Sequence, residues 1–209
     1  MTQAMATLKE QLQPQHTALL VIDMQNDFCA QGGYMQRERN YDVSFADEVA
    51  GNIEVLVGDA REAGAHVVWV HSHYDFKYLS ASHKAKRQRE GCCLEGSWGA
   101  QPYRVLPGAD EMVIYKHHYS GFQGTNLDNW LRARDVRTLV LVGVATNVCV
   151  DSTLRDGFFL GYHIVLAEDC VGSNSQVGHA GTLATVNNNI GTVTSSRRIA
   201  ELLAGRVPA

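Results

Sequence analysis

Short runs of apolar residues, rich in β-branched side chains, recur along the chain, and segments with helical periodicity lie between them. The apolar runs occupy residues 17–23, 65–72, 111–116, 138–144, 162–169 and 191–196. They are nearly continuous in apolar residues, which is typical of strands covered on both faces. The predicted helices lie near residues 43–64, 125–134, 147–160, 175–190 and 197–204. This alternation predicts a parallel sheet between two helix layers, a three-layer α/β/α sandwich of the Rossmann-like kind.

One connection, residues 73–110, is long and shows neither pattern. A loop of this length in a compact domain usually has a function, such as a lid or a pocket wall. It contains a basic cluster, Lys84, Lys86, Arg87 and Arg89. We expect this cluster to form a solvated face or a subunit contact. Because no repeat or linker marks a boundary, residues 1–209 are expected to form a single domain, with 1–15 a loosely ordered N-terminus.

Composition and charge narrow the classes of partner. The chain has 18 Lys and Arg against 22 Asp and Glu, a formal net charge of -4. This charge offers no reason to expect nucleic acid as a partner. Apolar runs are too short to cross a bilayer, and the polar start lacks the apolar core of a secretory signal. We therefore expect a cytoplasmic protein that contacts no membrane.

The cysteines do not form a recognisable framework. They are Cys29, Cys92, Cys93, Cys149 and Cys170. Their number is odd and no C-x-x-C pair occurs, so a disulfide framework or a zinc ribbon is not expected. A lone cysteine is by default a small buried hydrophobe.

Three residues at predicted strand ends stand out from this background. Asp23 closes the first strand, Lys116 closes the third, and Cys149 follows the fourth where a helix begins. In an open parallel sheet, ligands collect at the carboxyl ends of the strands, so the three side chains are expected to meet.

The three residue types suit nucleophilic catalysis. A thiol attacks as thiolate, which a helix N-terminus stabilises, and a carboxylate such as Asp23 can accept the thiol proton. An ammonium such as Lys116 keeps that carboxylate ionised and in place. The N–H groups around Ala145 and Cys149 would receive the oxyanion of a tetrahedral intermediate. Cys149 is therefore predicted to be a nucleophile.

Other chemistries find little support. The sequence lacks G-x-G-x-x-G, G-x-x-x-x-G-K-[ST], H-E-x-x-H and G-x-S-x-G motifs, so no nucleotide cofactor is expected. His71, His73 and Asp75 form a possible metal trio after the second strand, but lining a pocket or facing solvent is the more common role of such histidines.

At this point the motifs match a known family. "LLVIDMQNDFC" around Asp23, "VIYKHHYSGFQGTNLDNWL" around Lys116 and "LVGVATNVCVDSTLRDGFFLGY" around Cys149 resemble the three motifs of the isochorismatase-like cysteine hydrolases. The resemblance extends over about residues 16–196, with the motifs in order. It implies a six-stranded parallel sheet, catalytic roles for these three residues, a cis Val144–Ala145 peptide and a homodimer or homotetramer.

Within this family the chain is most similar to the ureide amidohydrolases. "YSGFQGTNLDNWLRAR" and "GSW" resemble ureidoacrylate and biuret-type enzymes, and the Asp-x-His metal pattern of nicotinamidases is not seen. We therefore expect no metal and no cofactor. His118 stands where ureidoacrylate enzymes tend to carry Arg, which favours an uncharged ureide such as triuret or biuret. A ureidoacrylate or an N-carbamoyl amino acid is the alternative substrate.

Substrate contacts are less sharply predicted. Phe28 and Phe122 are candidates to sandwich a flat urea group, with core packing equally open. Polar candidates are Asn26, His118, Tyr119, Gln123 and either Asn187 or Asn188. Asn187 precedes the last strand, where related enzymes often contribute an amide, although a helix cap is the other reading.

Three rival functions stay open. One is vinyl-ether cleavage of isochorismate, which uses no nucleophilic cysteine and is therefore disfavoured by Cys149. A second is a non-catalytic binding or redox-sensing protein in which Cys149 oxidises reversibly; Asp23 and Lys116 would then have no purpose. The third is a metal-dependent amidase.

Overall fold

A computed structural model describes residues 7–87 and 91–206. The strands are β1 (Thr17–Ile22), β2 (His66–Ser72), β3 (Met112–Lys116), β4 (Thr138–Val144), β5 (His163–Gly172) and β6 (Thr192–Thr194). They form one sheet in the order β3-β2-β1-β4-β5-β6, and all neighbouring pairs are parallel. The predicted parallel sheet is confirmed, and each strand lies within its apolar run, except that β5 continues to Gly172.

Helices cover both faces of this sheet. Those of the described residues are α1 (Leu8–Gln11), α2 (Asn26–Cys29), α3 (Tyr34–Arg39), α4 (Ala46–Ala63), α5 (Ala81–Arg87), α6 (Leu127–Arg132), α7 (Asp151–Phe159), α8 (Gln176–Asn189) and α9 (Ser196–Leu203). One core cluster joins α4 and α9 to the sheet, and a second joins α6, α7 and α8 to its other face. The three-layer α/β/α sandwich is thereby confirmed.

Helix α4 illustrates how the sequence pattern produces this packing. Its buried residues Val49, Ile53, Leu56 and Ala60 recur every three or four positions, which is the period of one helix face. Gly64 ends the helix with φ of 78°, a left-handed conformation that glycine adopts without a Cβ penalty.

Two segments that we expected to be irregular contain regular structure. Residues 7–15, which we expected to be loosely ordered, contain α1, which Thr7 caps, and the core residue Leu12. The long connection contains α5 and short 3-10 turns at Phe76–Tyr78 and Trp98–Ala100. These elements are too short for hydrophobic periodicity to reveal them. Residues 1–6, 88–90 and 207–209, and with them Arg89 of the basic cluster, lie outside the described residues.

The strand order creates a switch point between β1 and β4. From β1 the chain winds outward through β2 to β3, and it then returns to β4 and winds outward to β6 on the other side. At such a point the connections diverge and leave a crevice at the carboxyl ends of the strands. Asp23 follows β1 directly and Cys149 lies just beyond β4, so the topology places both residues at this crevice.

No helix among the described residues has both the length and the apolar character of a membrane span.

Candidate active site

Asp23, Lys116 and Cys149 come together at the carboxyl edge of the sheet. The Lys116 Nζ lies 2.8 Å from Asp23 Oδ2, and the two side chains are 0% and 1% exposed. Cys149 is buried and shares with Asp23 the lining of a cavity of about 310 Å³, which we call the catalytic cavity. The three residues that the sequence singled out at separate strand ends therefore form one cluster.

The backbone aims Asp23 into this cluster. Asp23 has φ of 54°, in the left-handed region where Asp is tolerated better than most residues. Its N–H donates to the carbonyl of Val70 at 2.8 Å, and its carbonyl accepts the N–H of Gln25 at 2.8 Å. These bonds to the neighbouring strand and to the following turn hold the strained conformation in place.

The segment before Cys149 is equally specific. A Cβ on Gly143 would lie 2.0 Å from the carbonyl oxygen of Ile22, so only glycine lets β4 approach β1 this closely. The Val144–Ala145 peptide bond is cis. A π-helical turn, Thr146–Val150, follows, in which the Ala145 carbonyl accepts the N–H groups of Val148 (3.0 Å) and Val150 (3.3 Å). This turn places Cys149 at the head of α7, and both Ala145 and Cys149 line the catalytic cavity.

The ammonium of Lys116 has a full set of hydrogen bonds. It donates to Asp23 Oδ2 (2.8 Å), to Ser72 Oγ (2.7 Å) and to the Tyr74 hydroxyl (3.0 Å). An ammonium has three donors, so all of them are satisfied. Ser72 in turn donates to Asp23 Oδ1 at 2.8 Å. A buried ion pair is tolerated when such additional hydrogen bonds offset its desolvation.

Burial and charge set the protonation states of the cluster. Burial raises the pKa of Cys149 to about 12, the Asp23 carboxylate adds to this rise, and Lys116 opposes it. Burial by itself would lower the pKa of Lys116, but charge attraction and hydrogen bonds to Asp23 and Cys149 together outweigh it, so this pKa is raised and the ammonium stays charged. The resting thiol is therefore protonated, and it must lose its proton to a base when it attacks.

Phe28 and Tyr119, two of the candidate substrate contacts, line the catalytic cavity. Asn26 has a different role, because its Nδ2 donates to the carbonyl of Trp98 at 2.9 Å and its N–H donates to the carbonyl of Gln101 at 3.0 Å. It fastens the long connection to α2 and does not line the cavity.

His118, Phe122 and Gln123 do not line the catalytic cavity either. His118 contributes its backbone carbonyl, which accepts the Tyr74 hydroxyl at 3.0 Å. Phe122 stacks on Tyr162 with 6.0 Å between ring centroids, which is the core-packing alternative. Gln123 is exposed. Phe122 packs against the core cluster on the α6 face of the sheet.

Asn187 and Asn188 are exposed near the C-terminal end of α8 and do not line the cavity either. Helix α8 leaves the carboxyl edge and runs back towards the start of β6, so its last residues lie at the opposite edge of the sheet. The residues just before α8, Asn174 and Ser175, line the cavity instead.

Sequence patterns missed a large part of the cavity wall. Helix α3 and the residues after it supply Tyr34, Met35, Arg39, Tyr41 and Asp42, and Lys86 of the long connection also lines the cavity. Helix α3 has six residues, too few for periodicity to identify it. The buried partners Ser72 and Tyr74 were visible only as the polar strand end "HSHYD".

His71 and His73 line a second cavity of about 520 Å³ together with His117; we call it the histidine cavity. The third member of the proposed metal trio, Asp75, turns away and accepts the N–H of Lys77 at 3.0 Å. Within residues 7–87 and 91–206, no group of three or more His, Cys, Asp or Glu side chains is placed to hold a metal ion.

Relatives named as ureidoacrylate amidohydrolases share much of the chain. The ureidoacrylate amidohydrolase RutB of an Enterobacter species is 41% identical over 173 residues, which are 75% of this chain and 75% of that protein. The RutB protein of Cronobacter turicensis is 45% identical over 175 residues, with 75% and 74% covered.

Solved structures share the fold. The N-carbamoylsarcosine amidase of Thermoplasma acidophilum matches with a TM-score of 0.71 and 28% identity, over 86% of this chain and 96% of that chain. A cysteine hydrolase of Pseudomonas syringae pv. phaseolicola matches with a TM-score of 0.85 over 99% of this chain and 100% of that chain; its 24% identity shows a common fold. The family model described as the isochorismatase domain matches residues 17–198. With most of its length matched, the chain belongs to the isochorismatase domain family.

Proposed function

We propose that the protein hydrolyses the terminal carbon–nitrogen bond of a small ureide and releases ammonia through a thioester on Cys149. Family membership and the similarity to RutB identify an amidohydrolase that acts on carbon–nitrogen bonds other than peptide bonds in linear amides. The observation that carries the mechanism is the buried cluster of Asp23, Lys116 and Cys149 at the wall of the catalytic cavity.

In this mechanism Asp23 accepts the proton of Cys149 as the sulfur attacks the carbamoyl carbon. The N–H groups of Ala145 and Cys149 receive the oxyanion. Asp23 then gives the proton to the departing ammonia, and it activates a water molecule that attacks the thioester. Lys116 remains an ammonium throughout and holds Asp23 in position through the 2.8 Å ion pair.

The rim of the catalytic cavity favours a ureide that also carries a carboxylate. Arg39 and Lys86 line the cavity with exposed side chains. Asp42 lines it too, but Asp42 Oδ1 accepts the N–H of Ser44 at 2.9 Å. An Arg side chain can bind a carboxylate through two parallel hydrogen bonds. The reason for preferring triuret or biuret was His118, whose side chain does not line the cavity. A ureidoacrylate or an N-carbamoyl amino acid is therefore the better candidate.

Ammonia release from purified protein tests both parts of the proposal. The compounds would be a ureidoacrylate, an N-carbamoyl amino acid, triuret and biuret. We expect turnover of the carboxylated ureides, and we expect Arg39→Gln to raise KM for them about tenfold with kcat little changed, because a charged hydrogen bond is lost. KM for triuret should not change.

Arg37→Gln is the matched control. Arg37 is also on α3, but it donates to the carbonyl of Gly32 at 3.0 Å and does not line the cavity. Preferential turnover of triuret or biuret, unaffected by Arg39→Gln, would contradict the carboxylate assignment. If the folded wild-type protein released no ammonia from any of the four compounds, the proposed ureide hydrolysis would be contradicted and a binding or redox-sensing role would be favoured.

A further inference from the structure

Tyr74 occupies the centre of the cluster, although no catalytic motif pointed to it. It follows β2 by two residues, is 1% exposed and lines the catalytic cavity beside Cys149. Its N–H donates to the carbonyl of Cys92 at 3.1 Å. Its ring packs edge-on against Phe28 and Tyr119, each with 6.3 Å between ring centroids. The position of its hydroxyl is therefore well determined by packing.

This hydroxyl contacts three groups of the active site. It accepts a hydrogen bond from Lys116 Nζ at 3.0 Å. It lies 3.0 Å from the carbonyl oxygen of His118 and 3.6 Å from Cys149 Sγ. A phenol has one hydrogen to donate, and rotation about its C–O bond can direct this hydrogen to one acceptor at a time.

The stronger acceptor changes during the proposed reaction. A neutral thiol or a thioester sulfur accepts hydrogen bonds weakly, so the His118 carbonyl is then the better partner. A thiolate carries a full negative charge and attracts the donor more strongly than a carbonyl does. Tyr74 itself stays protonated, because burial and the nearby Cys149 and Asp23 raise its pKa well above the usual value.

We propose that Tyr74 is a catalytic residue that donates its hydroxyl hydrogen to Cys149 Sγ whenever this sulfur carries negative charge. The inference rests on the proposed cysteine mechanism. In the first step Asp23 takes the thiol proton, the sulfur electron pair forms the C–S bond, and the carbonyl π pair moves to oxygen. The Tyr74 O–H bond stays intact and changes only its acceptor.

The same contact assists the last step. After water attacks the thioester, the tetrahedral intermediate collapses, the C–S bond breaks and its electron pair returns to Cys149. A donor at 3.6 Å that can turn towards the sulfur makes this thiolate a better leaving group. Loss of the hydroxyl should therefore slow both formation of the thioester and its hydrolysis.

The first test measures the thiolate directly and needs no substrate. The rate of alkylation of Cys149 by iodoacetamide is followed against pH by mass spectrometry, with Cys149→Ala to identify the site. In Tyr74→Phe the ring is kept and the donor is lost. At each pH at which the thiol is mostly protonated, we expect the alkylation rate to fall about tenfold, as for a rise of one unit in the thiol pKa. Replacement of Tyr74 by 3-fluorotyrosine, whose hydroxyl is more acidic, should raise the alkylation rate at the same pH.

Tyr162→Phe is the matched control for loss of a phenol hydrogen bond. The Tyr162 hydroxyl donates to Asp128 Oδ1 at 2.7 Å, and this buried ring does not line the catalytic cavity. Its alkylation profile should overlay that of the wild type. With a ureide that is turned over, Tyr74→Phe should lower kcat roughly tenfold to a hundredfold, as for a lost hydrogen bond to a charged group.

The outcomes separate the two proposals. Opposite changes of the alkylation rate at fixed pH in the two Tyr74 variants support hydrogen-bond donation to the sulfur even if every ureide is inert, which would contradict only the proposed function. Profiles that overlay the wild type in both variants overturn the role of Tyr74, even if ammonia release confirms the amidohydrolase. Because 3-fluorotyrosine keeps the shape of the ring, this test holds if Tyr74→Phe does not fold.

Discussion

Two cavities lie at the carboxyl end of β2, and they differ in how their polar side chains are paired. Ser72 belongs to the cluster at the catalytic cavity, whereas the preceding residue, His71, lines the histidine cavity. Successive side chains of a strand point to opposite faces, which explains why neighbours serve different cavities. The histidine cavity is the larger, at about 520 Å³ against about 310 Å³.

Burial disfavours the charged forms of the side chains at both cavities. At the catalytic cavity, charged and hydrogen-bonded partners offset this effect. At the catalytic cavity, Lys116 uses all three donors and keeps its charge beside Asp23. At the histidine cavity, burial lowers the pKa of His71 to about 4, and within the described residues its Nε2 has no hydrogen-bond partner. Burial also lowers the pKa of His73. The catalytic cavity thus differs from the histidine cavity in having a charge-paired cluster beside a thiol, although the histidine cavity is the larger of the two.

The largest expected effect comes from removing the nucleophile. Cys149→Ser should lower turnover at least about a thousandfold, because the hydroxyl is a much weaker nucleophile, while its similar volume preserves folding. Ammonia release and thermal unfolding measure the two effects. Cys170→Ser is the control: Cys170 is buried in the core away from the cavity, so stability should fall and turnover should remain. Near-normal turnover by Cys149→Ser would refute the mechanism.

Next in size is the loss of the buried cation. Lys116→Met leaves Asp23 buried without its counter-charge, so the free energy of unfolding should fall by roughly 3–5 kcal/mol and turnover should be lost. Urea denaturation measures this fall. Lys77→Met removes a lysine that pairs with Asp75 at 3.0 Å on the surface, and the urea midpoint should hardly change. Equal falls in the free energy of unfolding for the two substitutions would contradict a larger contribution of the buried Lys116–Asp23 pair.

Protonation of His71 at acid pH should lower the stability of the protein by less than Lys116→Met does. Unfolded His71 binds a proton near pH 6.5 and folded His71 near pH 4, so the unfolded state takes up the proton first as the pH falls. Stability should therefore decrease between these values, by up to about 3 kcal/mol from this group. The stability of His71→Gln should vary less with pH over this range.

The control for this prediction is His118→Gln, because His118 lines neither cavity. The measurement is the free energy of unfolding at several pH values between 4 and 7, and the control should keep the wild-type slope. A His71→Gln slope equal to that of the wild type would show that His71 does not resist protonation.

The smallest effect is expected at Asn187. Asn187→Ala changes an exposed residue far from the cavity, so kcat/KM should be unchanged and stability should shift by less than about 0.5 kcal/mol. Asn147→Ala is the informative partner, because Asn147 lines the cavity and accepts a hydrogen bond from Ser173 at 2.6 Å. It should lower kcat/KM. A larger loss of kcat/KM in Asn187→Ala than in Asn147→Ala would support Asn187 as a substrate contact.

The sequence by itself determined the sheet and located the three residues of the proposed mechanism. Runs of apolar residues specify strands because covered strands must be apolar on both faces. Once the sheet is parallel, its carboxyl ends share one edge, and Asp23, Lys116 and Cys149 follow three of them. Their chemistry is recognisable because few other roles require an acid, a cation and a thiol at one edge.

The tertiary structure alone decided what surrounds them. Tyr74 reaches the sulfur, and Arg39 reaches the rim, through the packing of short segments that have no period of their own. Asn187 was misplaced because the direction of α8 carries its last residues to the opposite edge of the sheet. Local pattern encodes which element forms, whereas contacts between elements distant in sequence depend on how all of them pack together.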